Sequence, residues 1–235
     1  MKVGLISDVH SNRVALETVL DDMPAVDALV NAGDVVGYNP WPGECVDAMA
    51  NPAASPLVPD RIAVAASGEV PTVMGNHDRA VADDPPFRFN SMAQAGVDHA
   101  TDALDESQLD WLRGLPDERT LFDGRLKVVH GHPEDPDHYT HPEEFGPDLL
   151  DEEDVLVMGH THVQHHEIYG EGVVVNPGSV GQPRDRDPRA AYAVVDLGEL
   201  TVEEHRIDYD VEAVQRAVRE ADLPEKIGDR LELGR

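Results

Sequence analysis

Five short polar clusters carry the chemistry this chain can offer: Asp8-Val9-His10, Gly33-Asp34, Gly75-Asn76-His77-Asp78, His130-Gly131-His132 and Gly159-His160-Thr161-His162. Each follows a short apolar run. A single Asp-x-His at a strand end is ordinary loop, even though alternation puts its two polar side chains on one side. Five such clusters point to a built site, because open α/β sheets hold their ligands beyond the carboxyl ends of the strands. The groups able to ligate a cation are Asp8, His10, Asp34, Asn76, His130, His160 and His162. Seven ligands fall one short of two separate four-ligand sites. Sharing one carboxylate closes the gap, since Asp34 can bridge two cations roughly 3.5–4 Å apart with a water between them. Imidazole with carboxylate suits manganese first, with nickel, iron or zinc as alternatives, rather than calcium. Cys45 is the only cysteine, so neither a disulfide nor a thiolate zinc site is available within the chain.

The apolar runs before these clusters read as strands at residues 2–7, 28–32, 70–74, 126–129 and 155–158. Between the first two lies a helical pattern, capped by Ser11 or Asn12 and ended by Pro24. Another helix begins at residues 45–49, and residues 90–115 read as one helix closed by Pro116. After that the period changes. Residues 119–122 and 126–129 flank Asp123-Gly124, a hairpin signal. Residues 134–154 form an acidic connection with a short helix near 142–150. Strands at 172–175, 191–195 and 200–205 and a helix at 211–221 complete the chain. The expected fold is α/β: a four-layer α-β-β-α sandwich of two mixed sheets flanked by helices, in a single domain over residues 1–235.

The ordered set D-x-H, G-D, G-N-H-D, H and G-H-T-H resembles the calcineurin-like metallophosphoesterase superfamily, in particular its compact phosphodiesterase-type members. The resemblance runs from residue 3 to about 196 and includes Asn176-Pro177-Gly178-Ser179. It implies that Asp8, His10, Asp34 and His162 hold one divalent metal while Asp34, Asn76, His130 and His160 hold the other. His77 is then the acid, held in orientation by Asp78. The implied reaction is in-line attack on phosphorus by a metal-bridging hydroxide, without a covalent phosphoenzyme. A phosphodiesterase is the leading expectation, and a phosphomonoesterase or nucleotide pyrophosphohydrolase on the same site is the close alternative. Relatives such as the retromer subunit use the fold as a protein-binding scaffold after losing ligands, but this chain keeps every ligand. A double-strand-break repair nuclease would need a capping domain that the residues after 196 do not supply.

Other polar residues have plainer readings. His132, two positions from His130, and Arg13, after the first cluster, are candidate contacts to a substrate phosphate, as is Arg184. His99, His205, His165 and His166 read as surface or packing residues, and His138 and His141 as loop. Gly178-Ser179 lacks a nucleophile-elbow context, which argues against a serine hydrolase. Substrate choice should lie in the loops at 37–45, 79–90 and 132–146, and residues 51–69 lengthen the connection before the Gly75 cluster.

Composition bounds the rest. With 40% apolar residues among 235 and no run near the roughly eighteen that a membrane helix needs, the expectation is a folded protein away from the membrane. Its start shows neither the basic n-region nor the apolar h-region of a secretory signal, which points to the cytoplasm. Eighteen Lys plus Arg against 47 Asp plus Glu give a net charge of −29, with lysine only at Lys2, Lys127 and Lys226. Acids spread this evenly suggest a solvated surface adapted to high salt, where self-repulsion is screened. No basic stripe invites nucleic acid. The partner expected is a small phosphate ester, and a homo-oligomer would be no surprise.

Overall fold

The computed structural model describes residues 1–63, 68–83 and 89–235. Its strands are β1 (Lys2–Ile6), β2 (Ala28–Asn31), β3 (Glu118–Leu121), β4 (Leu126–Val129), β5 (Val155–Val157), β6 (His165–Ile168), β7 (Val173–Asn176), β8 (Ala190–Asp196) and β9 (Thr201–Ile207). Its helices are α1 (Arg13–Asp22), α2 (Pro42–Ala50), α3 (Asn76–Asp83), α4 (Ser91–Ala103), α5 (Glu106–Arg113), α6 (Val211–Glu220) and α7 (Lys226–Asp229). One sheet has the order β2-β1-β8-β9, the other β3-β4-β5-β7-β6. In the first, β1 and β2 are parallel and the remaining pairs antiparallel. In the second, β4, β5 and β7 run parallel, with β3 and β6 antiparallel at the edges.

Parallel strands need a crossover and burial on both faces, which is why their sequences read as unbroken apolar runs. The crossover from β1 to β2 is α1, started by Asn12, whose side chain accepts the Ala15 amide at 3.1 Å. Val3, Leu5 and Val30 of the first sheet meet Leu126, Val128, Val155, Val157, Val173 and Val175 of the second in one core between the sheets. On the outer face of the first sheet, Ile6, Tyr192 and Val194 pack with Leu16, Val19 and Leu20 of α1 and Val46 and Met49 of α2. The outer face of the second sheet, through Leu156, Met158 and Val174, is covered by Phe145, Leu149 and Leu150. These belong to a connection with two single-turn 3-10 helices, Pro142–Glu144 and Pro147–Leu149, where one short helix was expected. The layers therefore stack as the sequence implies, with a thin fourth layer.

Three local expectations change. Residues 70–74 are not a strand: among them only Thr72 bridges β2, at Asn31. Pro71 has no amide to give a ladder, although its carbonyl accepts the Asn31 amide at 2.9 Å. The single helix expected over 90–115 is two helices, because the Asp105 side chain accepts the Gln108 amide while Gln108 returns a bond to the Asp105 amide, a capping box that starts α5. β6 has no apolar alternation to betray it, being a partly exposed edge strand. Of the insertion at 51–69, residues 64–67 lie outside the described residues, as do residues 84–88 of the expected substrate loop at 79–90.

Candidate metal centre

The strand ends converge. Asp8 and His10 follow β1, Asp34 follows β2, His130 follows β4, and His160 and His162 follow β5, while Asn76 and His77 open α3. All eight are buried. Asp8, His10, Asp34, His160 and His162 adopt φ between 47° and 67°, the left-handed region that non-glycine residues seldom enter. Strain repeated at five positions of one site is backbone conformation held by the surrounding structure to aim side chains inward. Hydrogen bonds do the holding: the Asp8 amide donates to the Gly33 carbonyl (3.0 Å), the His10 amide to the Asp34 carbonyl (2.9 Å), and the His160 amide to Asp8 Oδ2 (3.1 Å). Gly75 and Gly159 permit the close approach, since a Cβ at Gly75 would collide with the Asp34 carboxylate and one at Gly159 with the Ser7 hydroxyl.

Asp34 lies at the centre. Its Oδ2 is 3.5 Å from His10 Nε2 and 3.5 Å from His130 Nε2, while Oδ1 accepts the His77 amide at 2.8 Å. Around it the donor atoms fall into two groups, Asp8, His10, Asp34 and His162 in one and Asp34, His130 and His160 in the other. Within the first, His10 Nε2 and His162 Nε2 face each other at 3.1 Å, and Asp8 Oδ1 is 3.2 Å from His162 Nε2. Within the second, His160 Nδ1 faces His130 Nε2 at 3.1 Å. Asn76 lines the adjoining cleft beside His77 and His160.

The donor set fits divalent cations. His10 Nδ1 meets the Val36 carbonyl (3.1 Å), His162 Nδ1 the Gln182 carbonyl (2.5 Å), His130 Nδ1 the Ala32 carbonyl (2.7 Å) and His160 Nε2 the Asp137 carbonyl (3.3 Å). A carbonyl can only accept, so these nitrogens carry protons, and the opposite nitrogens of His10, His162 and His160 present lone pairs inward. The lone pairs of His10 Nε2 and His162 Nε2, 3.1 Å apart, repel unless something positive lies between them. Asp8 Oδ1, buried with no hydrogen-bond partner, makes the same demand.

Electrostatics agree. Burial drives His10 and His162 well below the usual imidazole range, and burial with His130 nearby takes His160 to about 3. Burial works against ionisation of Asp34 too, but His130, His77 and His10 together outweigh it and hold the carboxyl well below its ordinary value. His130 shows the converse: burial lowers it, and Asp34 more than compensates, raising it to about 9. Burial, reinforced by Asp34, lifts Asp8 to about 7. Buried imidazoles gathered on two carboxylates form groups that could hold a divalent cation.

Beside it opens a cleft of about 350 Å³, walled by His77, His160, Asn76, Tyr38, Phe89, Tyr139 and Arg184, with Asp137, Asn90, Ala93 and Arg230 completing the lining. His77 lies in contact range of three rings, His10 (4.8 Å between centroids), Tyr38 (4.8 Å) and Phe89 (4.7 Å). Burial lowers it to about 4. Its Nδ1 is buried without a partner against Gly37, which leaves Nε2 as the cleft-side nitrogen.

The calcineurin-like phosphoesterase superfamily domain matches residues 1–199. The chain belongs to that superfamily. This calcineurin-like phosphoesterase is accordingly a metal-dependent phosphoester hydrolase. It is 31% identical to the phosphodiesterase YfcE of Escherichia coli K12, over 86% of this chain and 91% of YfcE. The uncharacterized protein MJ0912 of Methanocaldococcus jannaschii is 29% identical over 99% of this chain and 98% of its own length. A metallophosphoesterase of Sphaerobacter thermophilus has a crystal structure that covers 100% of this chain and 99% of its own, at 34% identity and a TM-score of 0.79.

Not every candidate reaches the centre of this phosphoesterase. Asp78 does not bond to His77: its Oδ1 accepts the Val36 amide (3.1 Å) and its Oδ2 the Gly75 amide (3.1 Å), so it ties two loops together. His132 Nδ1 accepts the Glu134 amide, and the ring lines a separate cavity with Lys127 and Asp148. Arg13 lies 5.2 Å over the Trp41 ring and 3.8 Å from Glu44, also in another cavity. Neither lines the cleft. Arg184 does, and sequence reasoning missed Tyr38, Tyr139 and Arg230 beside it. Tyr38 follows the second cluster closely enough to have been suspected, whereas nothing in the polar C-terminal residues marks Arg230.

Proposed function

We propose that this chain is a two-metal phosphodiesterase. One cation rests on Asp8, His10, Asp34 and His162 and the other on Asp34, Asn76, His130 and His160, with manganese as the preferred ion. The observation that carries this reading is Asp34 Oδ2 standing 3.5 Å from the inward nitrogen of one histidine in each group, which suits a bridging carboxylate. When bound, the two cations supply Lewis-acid charge at the phosphoryl oxygens and an activated water as nucleophile. The chain's own residues do the rest. Ser7 Oγ (2.7 Å) and the His160 amide (3.1 Å) fix Asp8 Oδ2, leaving Oδ1 as the ligating oxygen. His77 is neutral in the free protein because it is buried; the incoming anion favours its protonated form, which gives the Nε2 proton to the leaving oxygen and returns to neutral imidazole. Arg184, on the same cleft, adds fixed positive charge that favours an anionic substrate. The resemblance to YfcE, named a phosphodiesterase, supports diester over monoester chemistry.

The protein is proposed to act as one domain in the cytoplasm at high salt, on small phosphate esters rather than nucleic acid. The support is its 47 acidic against 18 basic residues and its single cysteine. Among the described residues no helix is long and apolar enough to cross a membrane. Hydrolysis of bis-p-nitrophenyl phosphate and p-nitrophenyl phosphate by EDTA-stripped protein reloaded with manganese, nickel or zinc tests the function. Metal-dependent release, faster from the diester, is expected. Release from the monoester alone would make it a phosphatase, and release that survives metal removal would overturn the reading.

A further inference from the structure

Two guanidinium groups line the cleft with no Asp or Glu side chain paired to them among the described residues. Elsewhere on the chain Arg79, Arg113, Arg125 and Arg206 have carboxylates within 4 Å, while Arg119, Arg186 and Arg219, outside the cleft lining, have none among the described residues. Among the described residues, Arg184 and Arg230 have no Asp or Glu side chain within that distance. Arg184 instead donates to Gln182 Oε1 (2.9 Å) and to the Tyr38 hydroxyl (3.3 Å). Arg230, through Nε, donates to the main-chain oxygen of Arg235, and it approaches the same Tyr38 hydroxyl. Two like charges therefore converge on one phenol, partly buried, in a strongly acidic protein. Two cationic groups that share one neutral phenol on a cleft leave donors for an anion.

Its position says which anion. Tyr38 spans from the guanidinium groups to the centre, its ring 4.9 Å from His10 and 4.8 Å from His77. The pair thus lies across the Tyr38 ring from His10 and His77, on the cleft beside the centre. Arg230 is not placed there by chance fraying. It begins the 3-10 turn Arg230–Leu233, and the buried Ile227 and Leu231 dock this C-terminal segment on Tyr38 and Ala93, in one cluster with Val214 and Val218 of α6. The Arg186 amide also donates to the Gly234 carbonyl at 2.9 Å, fastening the segment from the other side. Residue 230 lies beyond the 199 residues that the superfamily domain accounts for.

We propose that Arg184 and Arg230 form a second anion subsite, and that the substrate is a phosphoester with a further phosphate beside the one attacked, as in a nucleoside diphosphate or polyphosphate chain. Arginine pairs suit this because each planar fork can hold two phosphate oxygens. Burial, and next to it the charge of Arg184, weakens the hold of Arg230 on its proton, and an anion between the two would relieve both effects. The inference rests on the phosphoesterase reading and narrows its substrate class.

ADP and AMP differ by the one group in question, so they are the probes. In the manganese-loaded protein, ADP should inhibit bis-p-nitrophenyl phosphate hydrolysis about tenfold or more better than AMP, and Arg230→Ala should reduce that ratio to near one. Arg230→Gln keeps the donors to Arg235 but not the charge and should do the same, which guards against a folding defect. Arg216→Ala, on the exposed face of α6, should leave the ratio as in wild type. Equal inhibition by ADP and AMP in wild type, or a ratio unchanged in both Arg230 variants, would overturn the subsite. Calorimetric titration of the same proteins with ADP and AMP reads the subsite without turnover. A preference for ADP that depends on Arg230 would thus stand even if the diesterase assay failed.

Discussion

At the scale of single residues, His77 and His130 make separable claims. His77 lines the cleft but belongs to neither ligand group, so His77→Ala should keep both metals and lose about 10²-fold or more in kcat on alkyl phosphodiesters. Metal analysis and steady-state kinetics check this, and unchanged kcat would remove His77 from the reaction. His130, raised to about 9 by Asp34 despite its burial, is protonated in the metal-free protein at neutral pH. A cation must displace that proton. Affinity for the second cation should therefore rise as pH rises, about tenfold per unit between pH 6.5 and 8.5, and flatten above about 9. Titrations of the EDTA-stripped protein with manganese across that range measure it, and a flat profile would contradict the pairing. Because groups able to ligate a cation are of few kinds, Asp8, His10, Asp34, Asn76, His130, His160 and His162 could be proposed from the sequence, and the structure gathers Asp8, His10, Asp34, His130, His160 and His162 into two buried groups. What was hidden is how five of these positions reach φ near +50° to +67°, and that Asp78 spends both oxygens on Val36 and Gly75 rather than on His77. Arg13 and His132 misled because nearness in sequence to a cluster says little about the direction a side chain takes from a turn.

At the scale of elements, the site depends on strand ends brought within contact by glycine. The turn before α3 passes so close to the one after β2 that Gly75→Ala should displace Asp34. The cost should be about 1–3 kcal/mol in chemical denaturation, with loss of metal binding, since overpacking a rigid backbone contact is relieved only by moving it. Retention of two metals at wild-type stability would show that Asp34 has other room. Elements were legible where burial on both faces gave continuous apolar runs, as in β1, β2 and β5. The reading failed where a backbone detail overruled the pattern. Pro71 reduces a strand-like run to the single Thr72 bridge, and the Asp105 capping box divides a run that periodicity alone would join.

At the scale of the whole molecule, the two-sheet core carries the architecture, and the net charge of −29 is the property to test against salt. Unlike the sheets, whose pairing follows from valine-rich inner faces, the C-terminal segment that delivers Arg230 had no signal in the sequence beyond a polar composition. A net charge of −29 repels itself over the ~10 Å Debye length of 0.1 M salt and much less over the ~3 Å length at 1 M. Raising KCl from 0.1 to 2 M should thus increase Tm by about 5 °C or more. A Tm independent of salt, followed by circular dichroism, would end the high-salt reading without touching the site.

The central claim is that one carboxylate serves two cations. Manganese bound per chain, counted by elemental analysis after loading and desalting wild type and Asp34→Ala, tests it most directly. Two equivalents in wild type and fewer than one in the folded variant are predicted. One equivalent in wild type, or two retained without Asp34, would contradict the account.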